Sequence, residues 1–146
     1  MSPRKAEAIV VWTMRGLAAT FAVVGILFIA SPDGVTERID EVGDWFGDFD
    51  KGPDTAQKLW LALAFAYMTV ITGIALVVST DVPRFRPLLL VLAAGKAASS
   101  LASGAYFVFE QDVFIYLLNF LVDGSLVAVA LACWALAGRL EARAPA

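Results

Sequence analysis

Four stretches of this 146-residue chain are apolar for long enough to cross the roughly 30 Å hydrocarbon core of a bilayer, which takes about 20 helical residues. They run over about 8–30, 59–79, 87–109 and 113–138. Arg15 alone interrupts the first, and Pro87 opens the third. Backbone groups in lipid must bond within their own segment, so these stretches read as helices; they are too few and too long for barrel strands. The composition agrees. Sixty per cent of residues are hydrophobic, 17% are charged, and the mean hydropathy is +0.75. A water-facing globule of this size has too little interior to hide that much apolar surface. The expected fold is therefore all-α, a single integral-membrane four-helix bundle spanning 1–146.

The flanks set an orientation. Arg4, Lys5, Arg15, Arg84, Arg86, Arg139 and Arg143 fall on one side, and Arg38, Lys51 and Lys58 on the other. By the positive-inside rule, the amino end, the inner loop 80–86 and the tail 139–146 face the cytoplasm. Trp12 and Trp134 fit an inner aromatic belt, and Trp60 with Tyr106 to Phe109 an outer one. The first stretch follows Arg4 and Lys5 like a secretory leader. Its length, Phe28 three residues before a cut at Ala30, and Pro32 just beyond favour a retained span.

The outer segment 31–58 is the one long extramembrane piece. Ser31-Pro32 is a helix start, and Val35, Ile39, Val42 and Phe46 recur at helical spacing among acids. This predicts a short amphipathic helix on the outer surface, ending near Gly47, with Gly52-Pro53 breaking the chain before the second span. Asp44, Asp48, Asp50 and Asp54 are dense, and Asp48-Phe-Asp-Lys-Gly faintly echoes the beginning of a calcium loop, but the glycine comes one position early and the closing glutamate is missing. They read as a solvated face, and no metal site is predicted. Trp45, Phe46 and Phe49 stand among these acids, suited to packing on the bundle, entering the membrane interface or docking a partner. The link 110–112 is so short that the last two spans must be antiparallel neighbours.

Absences narrow the chemistry. With no histidine, histidine-ligated haem, zinc or copper and a histidine general base are excluded. Cys133 is the only cysteine, so neither an intramolecular disulfide nor a CxxC pair exists. No phosphate-binding glycine loop appears, and a net charge of −3 argues against nucleic acid.

Lys96 stands about nine residues into the third span, where a cation costs at least about 2.5–3.5 kcal/mol to insert. Gly95, Ser99 and Ser103 form a stripe of small residues beside it, which places this helix inside the bundle. Asp123 is the natural partner: counted from the shared turn at Gln111, the two differ in depth by about one helical turn. Asn119 and Tyr116 precede Asp123 on the same face, so Lys96, Ser100, Tyr116, Asn119 and Asp123 form a candidate polar seam. One reading makes it a proton site or a pocket for the head group of a quinone or lipid. The other makes it an ion pair that sets helix register, with lysine reaching to the inner interface. Arg15 reads as snorkelling to cytoplasmic phosphates, with a contribution to the Asp123 site as its alternative. Arg84 and Arg86 read as topology determinants, with specific lipid contact as theirs.

One span, a long outer loop with a surface helix and three closely spaced spans, with Pro-Arg-Phe-Arg-Pro at 83–87, a lysine in the third span and an acid in the fourth, resembles the DoxX-like group of small bacterial four-helix membrane proteins. The resemblance covers nearly the whole chain and rests on layout. It implies the bacterial cytoplasmic (inner) membrane and association with a membrane redox complex, and it transfers no catalytic residues. Vitamin K epoxide reductase-like enzymes and claudins require cysteines that this chain lacks. The leading functional expectation is a non-catalytic accessory or assembly subunit, joined to a membrane-protein partner or to a second copy. The alternative is a small carrier or lipid- or quinone-binding protein using Lys96 and Asp123. A membrane-lipid enzyme comes third, because no nucleophile–base pair is visible.

Overall fold

A computed structural model describes residues 2–52 and 58–141. Asp54, Pro53 and Arg143, which entered the sequence reading, lie outside them. The described chain is helical: α1 (Pro3–Ala30), α2 (Pro32–Gly43), α3 (Lys58–Thr80), α4 (Val82–Phe85), α5 (Pro87–Phe109) and α6 (Phe114–Glu141). Four of these, α1, α3, α5 and α6, are long and apolar enough to cross a membrane. Their outward faces are apolar too, with Leu101 and Val108 each 69% exposed. An outward surface of that kind suits a hydrocarbon solvent.

The long helices pack in chain order around a ring, α1 on α3, α3 on α5, α5 on α6 and α6 back on α1. The α1–α3 and α5–α6 pairs have the most extensive contacts. Small residues let α5 and α6 approach: a side chain on Gly104 would begin 2.8 Å from the Phe120 ring. Gly124 faces Ser100, whose hydroxyl donates to the Phe120 carbonyl at 2.8 Å.

The core is concentrated at the end where the inner loop lies. Val10, Met14, Ile71, Val78, Leu89, Ala130, Cys133 and Ala137 are buried there with Val82. The segment expected as a plain loop over 80–86 contains the single turn α4. Its N-cap is Asp81, whose carboxylate accepts the Arg84 N–H at 3.1 Å. Arg86 then donates from Nε to the Trp134 carbonyl at 3.1 Å, with its guanidinium 4.3 Å from the Trp134 ring centre. This loop thus fastens to α6 and plugs its end of the bundle.

At the other end, α1 and α2 are joined through Ser31. Its N–H bonds to the Leu27 carbonyl and its own carbonyl receives the Val35 N–H, so the backbone ends one helix and begins the next. The expected serine cap is absent: its hydroxyl makes no capping bond. Helix α2 ends at Gly43, earlier than expected, and a turn carries the chain on through Phe46. Gly43 lies against Phe114, where a side chain would begin 2.8 Å from that ring.

The side of α2 turned toward protein carries Thr36, Asp40 and Gly43. The Asp40 carboxylate accepts the Gly52 N–H at 3.0 and 3.2 Å. Val35 and Ile39 are half-buried, while Val42 and Phe46 remain exposed. Asp50 donates its N–H to the Asp112 carbonyl at 2.9 Å, which ties this segment to the start of α6.

Candidate functional site

Lys96 is the tenth residue of α5, about 14 Å along a helix of roughly 35 Å, and therefore near mid-depth. Its ammonium lies 2.9 Å from the Asp123 carboxylate on α6, and both side chains are only 5% exposed. The lysine does not reach toward an interface. It is directed to the bundle axis, where the ring centre of Phe21 on α1 lies 4.8 Å away and that of Tyr67 on α3 5.4 Å away. All four long helices thus meet at one cation, with a carboxylate on one side and aromatic faces on two others. Such ring faces attract a cation more strongly when water is excluded.

The other expected members of the seam are divided. Asn119 donates its amide to Ser103 at 2.7 Å and to Ser99 at 3.2 Å, forming a second α5–α6 tie one turn from Asp123. Ser100 is turned to the Phe120 carbonyl. Tyr116 packs against Tyr106, with ring centres 5.7 Å apart. The α5–α6 seam therefore contains an ion pair, an amide–hydroxyl cluster and an aromatic pair, in that order toward the 110–112 link. Arg15 stays apart from Asp123: it is exposed, with its guanidinium over the Trp12 ring.

A cavity of about 300 Å³ adjoins the ion pair, lined by Lys96, Ser99, Asn119 and Asp123 together with Thr20, Phe21, Val24, Phe28, Tyr67 and several aliphatic side chains. That volume lies at the lower end of the range for small-molecule sites. The lining is mostly apolar with a few convergent polar groups, the usual make-up of such sites. Thr20 on α1, Ala64 on α3 and Val122 on α6 line it and are exposed, so the cavity reaches the surface of the bundle.

The Tyr67 hydroxyl is buried and has no hydrogen-bond partner among the described residues. It lies against Gly95, 3.5 Å from where a side chain would begin. Tyr67 and Phe21 were not singled out in the sequence, since aromatics in apolar spans ordinarily serve packing.

At the α2 end of the bundle, Phe46 stacks on Phe114 at 5.8 Å and Phe49 tilts against it at 5.2 Å. Trp45 is 80% exposed and Phe46 73%. Asp44 pairs with Lys51 at 3.4 Å in an exposed bridge, which contributes little to stability. Among the described residues no three His, Cys, Asp or Glu side chains gather as metal ligands. No family model, curated protein or solved structure matches this chain.

Proposed function

We propose that this is a multi-pass protein of a bacterial cytoplasmic membrane that binds the polar head of a membrane amphiphile, a lipid or a quinone, beside Lys96 and Asp123. The observation that carries this reading is the cavity itself, which joins a mid-depth ion pair to the surface of the bundle. The pair itself is covered, yet the space beside it is left unfilled, and a pair needed only for helix register calls for no such space. Both termini face the cytoplasm on this reading, supported by the arginines and lysines of the amino end, the inner loop and the tail. Helix α2 then lies on the outer surface, with Val42 and Phe46 toward the lipid head groups. The DoxX-like layout is consistent with the same placement.

A second reading, an accessory or assembly subunit of a membrane complex, is favoured by the exposed Trp45 and Phe46. Large aromatics of this kind commonly anchor protein interfaces. Native mass spectrometry of gently extracted protein, with lipid and quinone detection, separates the two. Binding predicts a lone chain or homo-oligomer carrying one defined small molecule, which is lost when Lys96→Met and Asp123→Leu are combined. A stoichiometric protein partner without a small molecule would establish the subunit reading. A bare chain would refute the binding reading.

A further inference from the structure

The binding reading leaves the chemistry of the head group open, and the groups around the cavity narrow it. Lys96 and Asp123 neutralise one another, and no other ionisable side chain among the described residues lines the space except Tyr67. A ligand with a net charge would enter a low-dielectric site with no counter-charge left for it, at a heavy desolvation cost. An uncharged head meets no such barrier.

The unspent polar capacity has one sense. An ammonium has three N–H donors; Asp123 accepts one, and the Phe21 and Tyr67 ring faces, weaker partners than an oxygen acceptor, stand on its other sides. The Tyr67 hydroxyl is a second donor without a partner. A cavity with two underused donors and a neutralised charge calls for a hydrogen-bond acceptor. Size adds a limit: about 300 Å³ is roughly twice a cavity that admits a benzene ring, enough for a substituted ring or an ester head but not for a long chain. The tail must leave where the cavity reaches the surface of the bundle.

We propose, building on the binding reading, that the ligand is an uncharged amphiphile whose head carries a carbonyl oxygen, received by the Tyr67 hydroxyl and a Lys96 N–H. In the structure the hydroxyl is covered, so the head reaches it as the phenol turns away from Gly95. A quinone ring and a neutral acylglycerol both supply such a carbonyl.

The experiment titrates purified protein in detergent micelles with three probes: a decyl-substituted benzoquinone, dioctanoylglycerol and decyl phosphate. Occupancy is read by native mass spectrometry on wild type and Tyr67→Phe. This hydroxyl makes no hydrogen bond to the protein, so its removal leaves the fold standing, and circular dichroism checks that. One neutral carbonyl probe is expected to bind, its identity separating quinone from glyceride, and Tyr67→Phe is expected to weaken it about tenfold. Decyl phosphate is expected to bind at least tenfold more weakly than that probe. Equal binding by wild type and Tyr67→Phe, or preference for decyl phosphate, would overturn the carbonyl assignment while leaving amphiphile binding intact. Failure of all three probes, with a bare chain from native membranes, would overturn both.

Discussion

Cutting the Lys96–Asp123 pair from either side, and then from both, separates a buried ion pair from a lysine that reaches to the surface. Lys96→Met leaves the Asp123 carboxylate, 5% exposed, without the one cation it contacts. Removing one partner of a buried pair costs about 3–5 kcal/mol, because the surviving charge is stranded. Asp123→Leu strands the ammonium instead, but the ring faces at 4.8 and 5.4 Å remain. Desolvated cation–ring contacts are worth about 2 kcal/mol, so this variant should fall at the lower end of the range, near 3 kcal/mol. The double variant carries neither charge, and its two apolar side chains resemble the originals in volume. It should lie within about 1 kcal/mol of wild type or be more stable. Reversible unfolding in mixed dodecyl maltoside and dodecyl sulfate micelles, followed by tryptophan fluorescence, gives the four free energies. The expected coupling exceeds the roughly 0.5–3 kcal/mol of ordinary contacting pairs. If Lys96→Met unfolds within about 1 kcal/mol of wild type, or the double variant is no better than the worse single, the pair does not sit buried at the bundle axis and the argument fails.

Gly104→Val should destabilise the protein by about 1–3 kcal/mol in the same titration, because its side chain would begin 2.8 Å from the Phe120 ring. Gly16→Ala, with nothing within 4 Å, should leave the midpoint unchanged or raise it. Arg86→Ala should cost about 2 kcal/mol and alter tryptophan emission, since it removes the bond to the Trp134 carbonyl and the cation over that ring. In intact cells, a membrane-impermeant maleimide should label Trp45→Cys at once and Arg139→Cys only after lysis, with buried Cys133 giving little background. The reverse pattern would invert the proposed orientation.

The helix boundaries follow local rules that one sequence carries. The first and third long helices end as expected, at Ala30 and Phe109, while the first begins at Pro3, ahead of the apolar stretch itself. Pro87 opens α5 as a residue with a fixed φ and no N–H to lose. The α5–α6 pairing was legible because a link of three residues leaves no other packing, and with it the depth match of Lys96 and Asp123. The details that failed to show were those in which neighbours compete for one group. Ser31 serves two helices through its backbone, so its hydroxyl does not cap. Gly43 stops α2 where Phe114 crosses it. Tyr116 reads as a polar seam residue until Tyr106 is seen beside it.

By itself, then, the order of residues determined how many long apolar helices there are, roughly where they run, and which two ionisable groups share a depth. Those properties depend on hydropathy and rise per residue, which act along the chain. Only the tertiary structure decided what stands around the lysine. Phe21 and Tyr67 come from α1 and α3, and their approach depends on the ring order of the helices and on how each is turned about its axis. Nearly uniform apolar helices carry little record of that rotation, since most of their faces are equally fit for lipid or for a neighbour. The cavity and the unpartnered Tyr67 hydroxyl arise from that rotation, and so does the case for binding.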